Sequence, residues 1–281
     1  MSLCHAKWPA GLERLTWGGL YFAPASLAAL GVLWATAPGW APWSGRPLPQ
    51  GVWLTAGYLF GRDMAVLAAF WVVAGLYLKR HRTGEGRVLA GVLAAVYAVA
   101  FSLIGMDQVM ALEPPFPSSI FAPYFFVTGL YAALAAWTLM AMAHPDRTPA
   151  RLHDLGRLMV AFCLLSTYLA FGQLLTIWYE DLPHEAHYYV PRIYAGGWRW
   201  VGLGLLCSIY VGPLAVLLPR WAKRTPWFLG CLAGLVLVGL WAERWWLVAP
   251  AFAPAVRLGL PELAMAAAFL GASGLALEVG Q

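Results

Sequence analysis

Charge is what this sequence has least of. Only 11% of its 281 residues are charged, and 13 of those are acidic, against 61% apolar side chains and a mean hydropathy of +0.67. Too little polar surface exists to coat a water-soluble fold of this length, which excludes an ordinary globular domain. Cysteine is scarce as well. Cys4, Cys163, Cys207 and Cys231 are scattered and form neither the C-x-x-C-H of covalent haem nor an iron–sulfur spacing. They read as small buried packing residues. The histidines His5, His81, His144, His153, His184 and His187 all fall in tails or connections between apolar runs, so no pair is placed to clamp a haem inside a membrane. His184-Glu185-Ala186-His187 suggests zinc at first sight, but its two histidines stand three apart, where H-E-x-x-H needs four. No cofactor held covalently or by metal ligands is expected.

What the chain does have is long apolar runs. They read as an all-α integral membrane protein of about eight transmembrane helices, at 15–36, 53–78, 88–112, 120–143, 157–180, 199–219, 227–249 and 262–280, each taking roughly 20 to 25 residues of a tilted span. None shows the period of two that a membrane barrel requires. Breakers separate the runs: Pro38, Pro42, Pro47 and Pro49 follow the first, and Pro114, Pro115 and Pro117 follow the third. The 16 Trp and 12 Tyr suit belts at the two membrane interfaces. A single polytopic membrane domain fills residues 1–281, dividing naturally into two four-helix bundles over 15–143 and 157–280. No room is left for a separate soluble domain.

Lysine and arginine set the orientation. Lys7 and Arg14, then Lys79, Arg80, Arg82 and Arg87, then Arg147, Arg151 and Arg157, then Arg220, Lys223 and Arg224 alternate onto one side, which the positive-inside rule makes cytoplasmic. Both termini are then cytoplasmic, and the acidic face is periplasmic or extracellular. Arg46, Arg192, Arg199, Arg244 and Arg257 fall on the other side, with Glu113, Glu180, Asp181, Glu185 and Glu262. The formal charge of +5 is thus a topology signal and does not point to nucleic acid. Ala35-Thr36-Ala37 imitates a signal-peptide cleavage site. The apolar stretch before it is longer than a signal core and Pro38 follows directly, so an uncleaved anchor is expected.

Against this background the ionisable groups inside or at the lips of spans stand out, because such groups are expensive in hydrocarbon and mark a polar pathway, a site or an interhelical pair. Arg62 and Asp63 fall near mid-depth of the second span, Asp107 near the outer end of the third, and Glu243 and Arg244 similarly in the seventh. Gln173, Glu180 and Asp181 close the fifth, and Glu113 follows the third. They gather toward the outer side. A poorly solvated carboxyl can exchange protons near neutral pH, as a quinol-oxidation site or proton half-channel needs. The alternative is that Arg62 and Arg244 neutralise Asp63, Asp107 or Glu243 and pin the helices together.

Four stretches carry a resemblance. Asp107-Gln108-Val109-Met110-Ala111-Leu112-Glu113-Pro114, continuing through Ser118, Ser119, Ile120 and Phe121, resembles D-W-x-M-S-L-E-P-x-W-x-S-T-x-x-G. The run from Phe171-Gly172-Gln173 through Trp178, Glu180-Asp181-Leu182-Pro183 and Glu185, with Arg192 and Gly196-Gly197-Trp198 downstream, is similar to F-x-Q-F-L-I-I-W-x-x-N-L-P-E-E followed by R and G-G-W. Pro213, Leu217, Leu218, Pro219, Arg220, Lys223 and Arg224 resemble P-F-x-L-L-L-S-R-x-x-K-R. Glu243 through Trp246, then Val248 and Pro250, resembles D-x-x-W-x-V-x-P. These are motifs of the F subunit of alternative complex III, within the NrfD/PsrC-like membrane family, and they keep their order over roughly residues 55 to 255. The chain departs from them at Asp181 (family Asn), His184 (family Glu), Glu243 (family Asp) and Pro115 to Pro117.

The resemblance implies a cofactor-free membrane subunit of a quinol-oxidising respiratory complex. Its partners would be a multihaem cytochrome c, an iron–sulfur protein and a homologous NrfD-like subunit, which hold the haems and iron–sulfur clusters. In that setting Asp107 and Glu243 would relay protons from quinol, Glu113, Gln173 and Glu180 would shape the outer mouth, and Arg62 and Asp63 would extend the path inward. Two other readings are open. One is a purely structural anchor. The other is a small-solute or ion transporter, although no paired Gly/Pro-interrupted spans mark corresponding halves.

Overall fold

The computed structural model describes residues 13–46, 48–81, 86–114, 116–143 and 148–279. Cys4, His5, Lys7, Pro47, Arg82, Pro115, His144 and Arg147, named above, lie outside them. The described residues form helices and no strands, and eight of the helical stretches are long and apolar enough to cross a membrane: Trp17–Trp40, Ala56–His81, Arg87–Leu112, Phe121–Met142, Pro149–Glu180, Trp198–Leu217, Pro226–Ala251 and Leu260–Glu278. The chain has the architecture of a multi-pass membrane protein. Contacts divide it into two compact units, one from the described residues of 1–112 and 257–281, the other from residues 113–256. Each unit holds four spans, but they are not the sequential halves expected: the eighth span groups with the first three, and the fourth with the fifth to seventh.

In the first unit, α1 (Glu13–Leu20) and α2 (Ala23–Trp40) lead by a short 3₁₀ turn at Gly51–Leu54 to α3 (Ala56–His81) and α4 (Arg87–Gln108). α3 packs along α4 and against α2. Its core is apolar, with Leu30, Leu59, Phe60 and Leu67 buried and Trp43 packed on Phe60.

In the second unit, α5 (Phe121–Ala143) packs on both α6 (Pro149–Glu180) and α11 (Pro226–Val248). α6 starts eight residues earlier than the sequence led us to expect, so Arg151 and Arg157 are helical and do not lie in a connection. The cause is a cap: the Thr148 hydroxyl accepts the Arg151 N–H at 3.3 Å, and Pro149 occupies the first turn, where its missing N–H costs nothing. The helix stops at Asp181, whose left-handed φ of 48° ends it. The connection beyond is itself a helix, α7 (Pro183–Tyr194). A Gly196-Gly197 turn follows, with φ of 53° and 88°, leading into α8 (Trp198–Leu205). A Cβ at Gly196 would run into the carbonyl of Pro254.

The sixth span is not uniform. Between α8 and α9 (Gly212–Leu217) lies a π-helical segment, Leu206–Val211, closed by the Gly212 N–H on the Cys207 carbonyl. Only glycine fits there, because a Cβ at position 212 would strike that same carbonyl. Pro213 supplies no N–H to the Ile209 carbonyl four residues back. The Cys163 thiol lies 3.4 Å from that oxygen and 3.0 Å from the Tyr210 carbonyl, so this cysteine satisfies backbone as well as filling space. α10 (Arg220–Arg224) then turns the chain into α11. Its Lys223 ammonium caps the end of the sixth span on the carbonyls of Leu217 and Leu218. α12 (Leu260–Val279) returns to the first unit, where Gly18 lets α1 meet the backbone at Leu277.

Candidate functional site

The rare polar residues of the spans gather into one cluster in each unit. In the first unit, Arg62 and Asp63 stand in the second turn of α3, nearer its end than the mid-depth expected, and Asp107 stands in the last turn of α4. The two helices run antiparallel, which brings these turns together. Arg62 donates from Nε at 3.0 Å and from Nη2 to the same Asp107 oxygen, Oδ2. Its guanidinium lies 3.6 Å from the centre of the Trp53 ring, a cation–π contact that holds the fork in place. Asp63 is fully buried and takes the Gln108 amide at 2.7 Å, with the Asp107 carboxyl beside it. Two carboxyls therefore share one guanidinium, and Oδ1 of each has no hydrogen-bond partner.

The second unit holds the larger arrangement. Glu243, on α11, is 1% exposed. Its Oε1 accepts the Tyr124 hydroxyl from α5, and Tyr124 is linked in turn to the Tyr210 hydroxyl of the π segment at 2.9 Å. Its Oε2 faces Arg244 Nη1 at 3.4 Å as an ion pair but makes no hydrogen bond. Arg244 is directed elsewhere, donating to the Phe125 carbonyl at 2.9 Å and the Thr128 hydroxyl at 2.6 Å.

Glu243, Tyr124 and Tyr210 form part of the wall of a cavity of about 480 Å³. Gln173 of α6 also lines it, 2% exposed, with its Nε2 lacking any hydrogen-bond partner. Arg192 and Arg199 also line it, and the rest of the wall is apolar or aromatic, including Leu205, Leu247, Tyr189 and Trp246. A buried amide and a buried carboxyl, each with an atom that makes no hydrogen bond, thus stand in the wall of a largely apolar cavity of ligand size.

Arg192, also in the cavity wall, is fully buried. It donates to Glu113 at 2.8 Å, to the Leu247 carbonyl at 2.7 Å and to the Tyr188 carbonyl, with its guanidinium 3.5 Å from the Tyr188 ring centre. His187 approaches the other Glu113 oxygen at 3.4 Å. Burial pushes the phenols of Tyr188 and Tyr189 above their usual 10, so both stay protonated.

Of the sequence candidates, Glu243 and Gln173 come together at the cavity and Arg244 flanks it. Arg62, Asp63 and Asp107 form the separate cluster of the first unit. Glu113 clamps Arg192 and does not open onto a mouth, while Glu180 and Asp181 are solvent-side or lipid-side residues at the exposed end of α6. Sequence reasoning missed Tyr124, Tyr210 and Arg192 as site residues. The only signal for Arg192 was its place in the family-like motif. Among the described residues no group of three or more His, Cys, Asp or Glu is disposed to hold a metal ion.

No model of a known protein family matches this chain, and no curated protein matches it either. The likeness to the NrfD/PsrC-like subunits rests on the quoted motifs alone.

Proposed function

We propose that this chain is a membrane subunit of a quinol-oxidising respiratory complex of the bacterial inner membrane, with both termini cytoplasmic, and that the cavity of its second unit receives the quinol ring. The observation that carries this reading is that one cavity wall holds both Gln173, whose amide nitrogen makes no hydrogen bond, and Glu243, whose Oε2 is held only by the Arg244 ion pair. A hydroquinone needs that complement: an N–H donor to one ring oxygen and an acceptor for the proton of the other. Oxidation releases two protons and two electrons from the quinol. Glu243 Oε2 would take the two protons in turn, with Tyr124 and Tyr210 as a hydrogen-bonded line along which the first leaves before the second arrives, and haem- and iron–sulfur-bearing partner subunits would supply the acceptor for the two electrons.

The first-unit cluster supports the same reading through charge. Asp63, Asp107 and Arg62 together carry one net negative charge when both carboxyls are ionised, and one added proton makes them neutral. A cluster of that kind can hold a proton in transit. The static alternative is a pair that only pins α3 to α4.

Purification of the tagged protein from its native membrane in mild detergent, with mass spectrometry and a haem spectrum, tests the assignment. A multihaem c-type cytochrome and an iron–sulfur protein are expected to accompany it; a colourless protein purified alone would overturn it. In the assembled complex, Glu243→Gln and Asp107→Asn are each expected to lower quinol-dependent turnover about a hundredfold or more, the usual range for a positioned proton acceptor, without loss of assembly. Unchanged turnover in Asp107→Asn would leave the first-unit cluster a structural pair.

A further inference from the structure

The walls of the cavity change character from one end to the other. At the closed end stand Gln173, Glu243 and Arg192, all at most 2% exposed. On its exposed side the lining includes Leu174, Leu203 and Leu206, exposed by 41%, 49% and 45%, together with the exposed Tyr194, Arg199 and Trp200. These leucines belong to the fifth and sixth spans, so what they are exposed to in a membrane is hydrocarbon. The helix packing agrees. α6 packs mainly on the π segment and α9, while α8 leans on α7 and α11. The gap between α6 and α8 is therefore a side opening bordered by leucines of the two spans and, toward the start of the sixth, by Tyr194, Arg199 and Trp200.

We propose that the cavity is filled from the lipid through this gap. Its ligand is an amphiphile with a planar, oxygen-bearing ring held at Gln173 and Glu243 and a long alkyl chain that leaves past Leu174, Leu203 and Leu206 into the bilayer. The inference rests on the quinol reading and adds to it the entry route and the need for a chain. Polar recognition sits where water is excluded and a hydrogen bond discriminates most. The chain stays in an environment as apolar as the one it came from, so the protein need not provide a closed tunnel for it.

The test uses the full-length protein in lipid nanodiscs and two probes: a decyl-substituted benzoquinone, and the same ring with a methyl group in place of the chain. Photocrosslinking from a diazirine at the end of the decyl chain is expected to mark α6 and the stretch from α8 to the π segment in the unmodified protein. Filling the gap with Leu203→Trp and Leu206→Trp puts two bulky rings across the opening. It is expected to weaken the decyl probe about tenfold or more and the methyl probe by less than about twofold. Gln173→Leu is expected to weaken both. Crosslinks on other helices, or equal loss of both probes in the filled variant, would overturn the lateral route while leaving ring binding intact. Failure of both probes to bind the unmodified protein would overturn the quinol reading itself.

Discussion

Arg192 shows at the scale of one residue how this protein handles charge. A guanidinium with no exposed surface is tolerated because Glu113 balances its charge and two carbonyls accept from its terminal nitrogens, although Nε makes no hydrogen bond. Removing only the carboxylate, as in Glu113→Leu, would leave the cation unpaired, a change that typically costs about 3–5 kcal/mol. Replacing both partners, Glu113→Leu with Arg192→Met, should recover much of that loss, and thermal melting of the three forms in detergent checks it. If the double variant melts no higher than Glu113→Leu, the pair does more than balance charge. The sequence showed Glu113 as a polar residue near a span end but not its partner, because the two lie 79 residues apart. Tyr124 and Tyr210 were hidden for another reason. A tyrosine in an apolar run looks the same whether its hydroxyl meets lipid headgroups or a buried carboxylate, whereas Glu243 and Gln173 could be picked out because such groups are rare at those positions.

At the scale of elements, the π segment of the sixth span aims the site. It carries Leu206 and Tyr210, both on the cavity wall. It also lies close under α11, where a Cβ at Gly239 would come 2.8 Å from the Ser208 hydroxyl. The widened turn exists because Pro213 cannot donate and Gly212 accepts a carbonyl where any side chain would sit. Gly212→Ala is therefore expected to destabilise the fold by about 1–3 kcal/mol and to lower quinone affinity with it, measured by melting and by binding of the decyl probe. Gly204→Ala is the matched control. A Cβ there meets nothing within 4 Å, and a helical Gly→Ala change favours the helix by up to about 1 kcal/mol, so it should be neutral or stabilising. Hydrophobic runs place a span but do not reveal a π turn inside it; Pro213 stood in one of the family-like stretches, but nothing in the sequence pointed to Gly212 beside it. The start of α6 was misplaced for a related reason. Thr148-Pro149 is a clear cap, but Arg151, His153, Asp154 and Arg157 lower the local hydropathy enough to read as a connection.

For the molecule as a whole, the number of spans and the placement of charge make one prediction together. If all eight candidate spans cross, both ends of the chain lie on the same side, and the positive-inside rule predicts the cytoplasm. The structure sharpens the charge argument. Arg62, Arg192 and Arg244, three of the arginines assigned to the outer half, are each paired with a carboxylate inside a unit. Their positions follow from folding and do not compete with the basic connections as topology signals. α7 should then face the periplasm and α10 the cytoplasm. With the native cysteines replaced by alanine, Val190→Cys on α7 is expected to react with a membrane-impermeant maleimide in intact spheroplasts. Trp221→Cys on α10 should react only after permeabilisation. Both native residues are exposed, 48% and 60%, so access is set by the membrane and not by burial. The opposite labelling pattern would place Glu243 and Gln173 at the cytoplasmic side, and quinol protons would then be released inward, ending any contribution of this chain to a proton gradient by release alone.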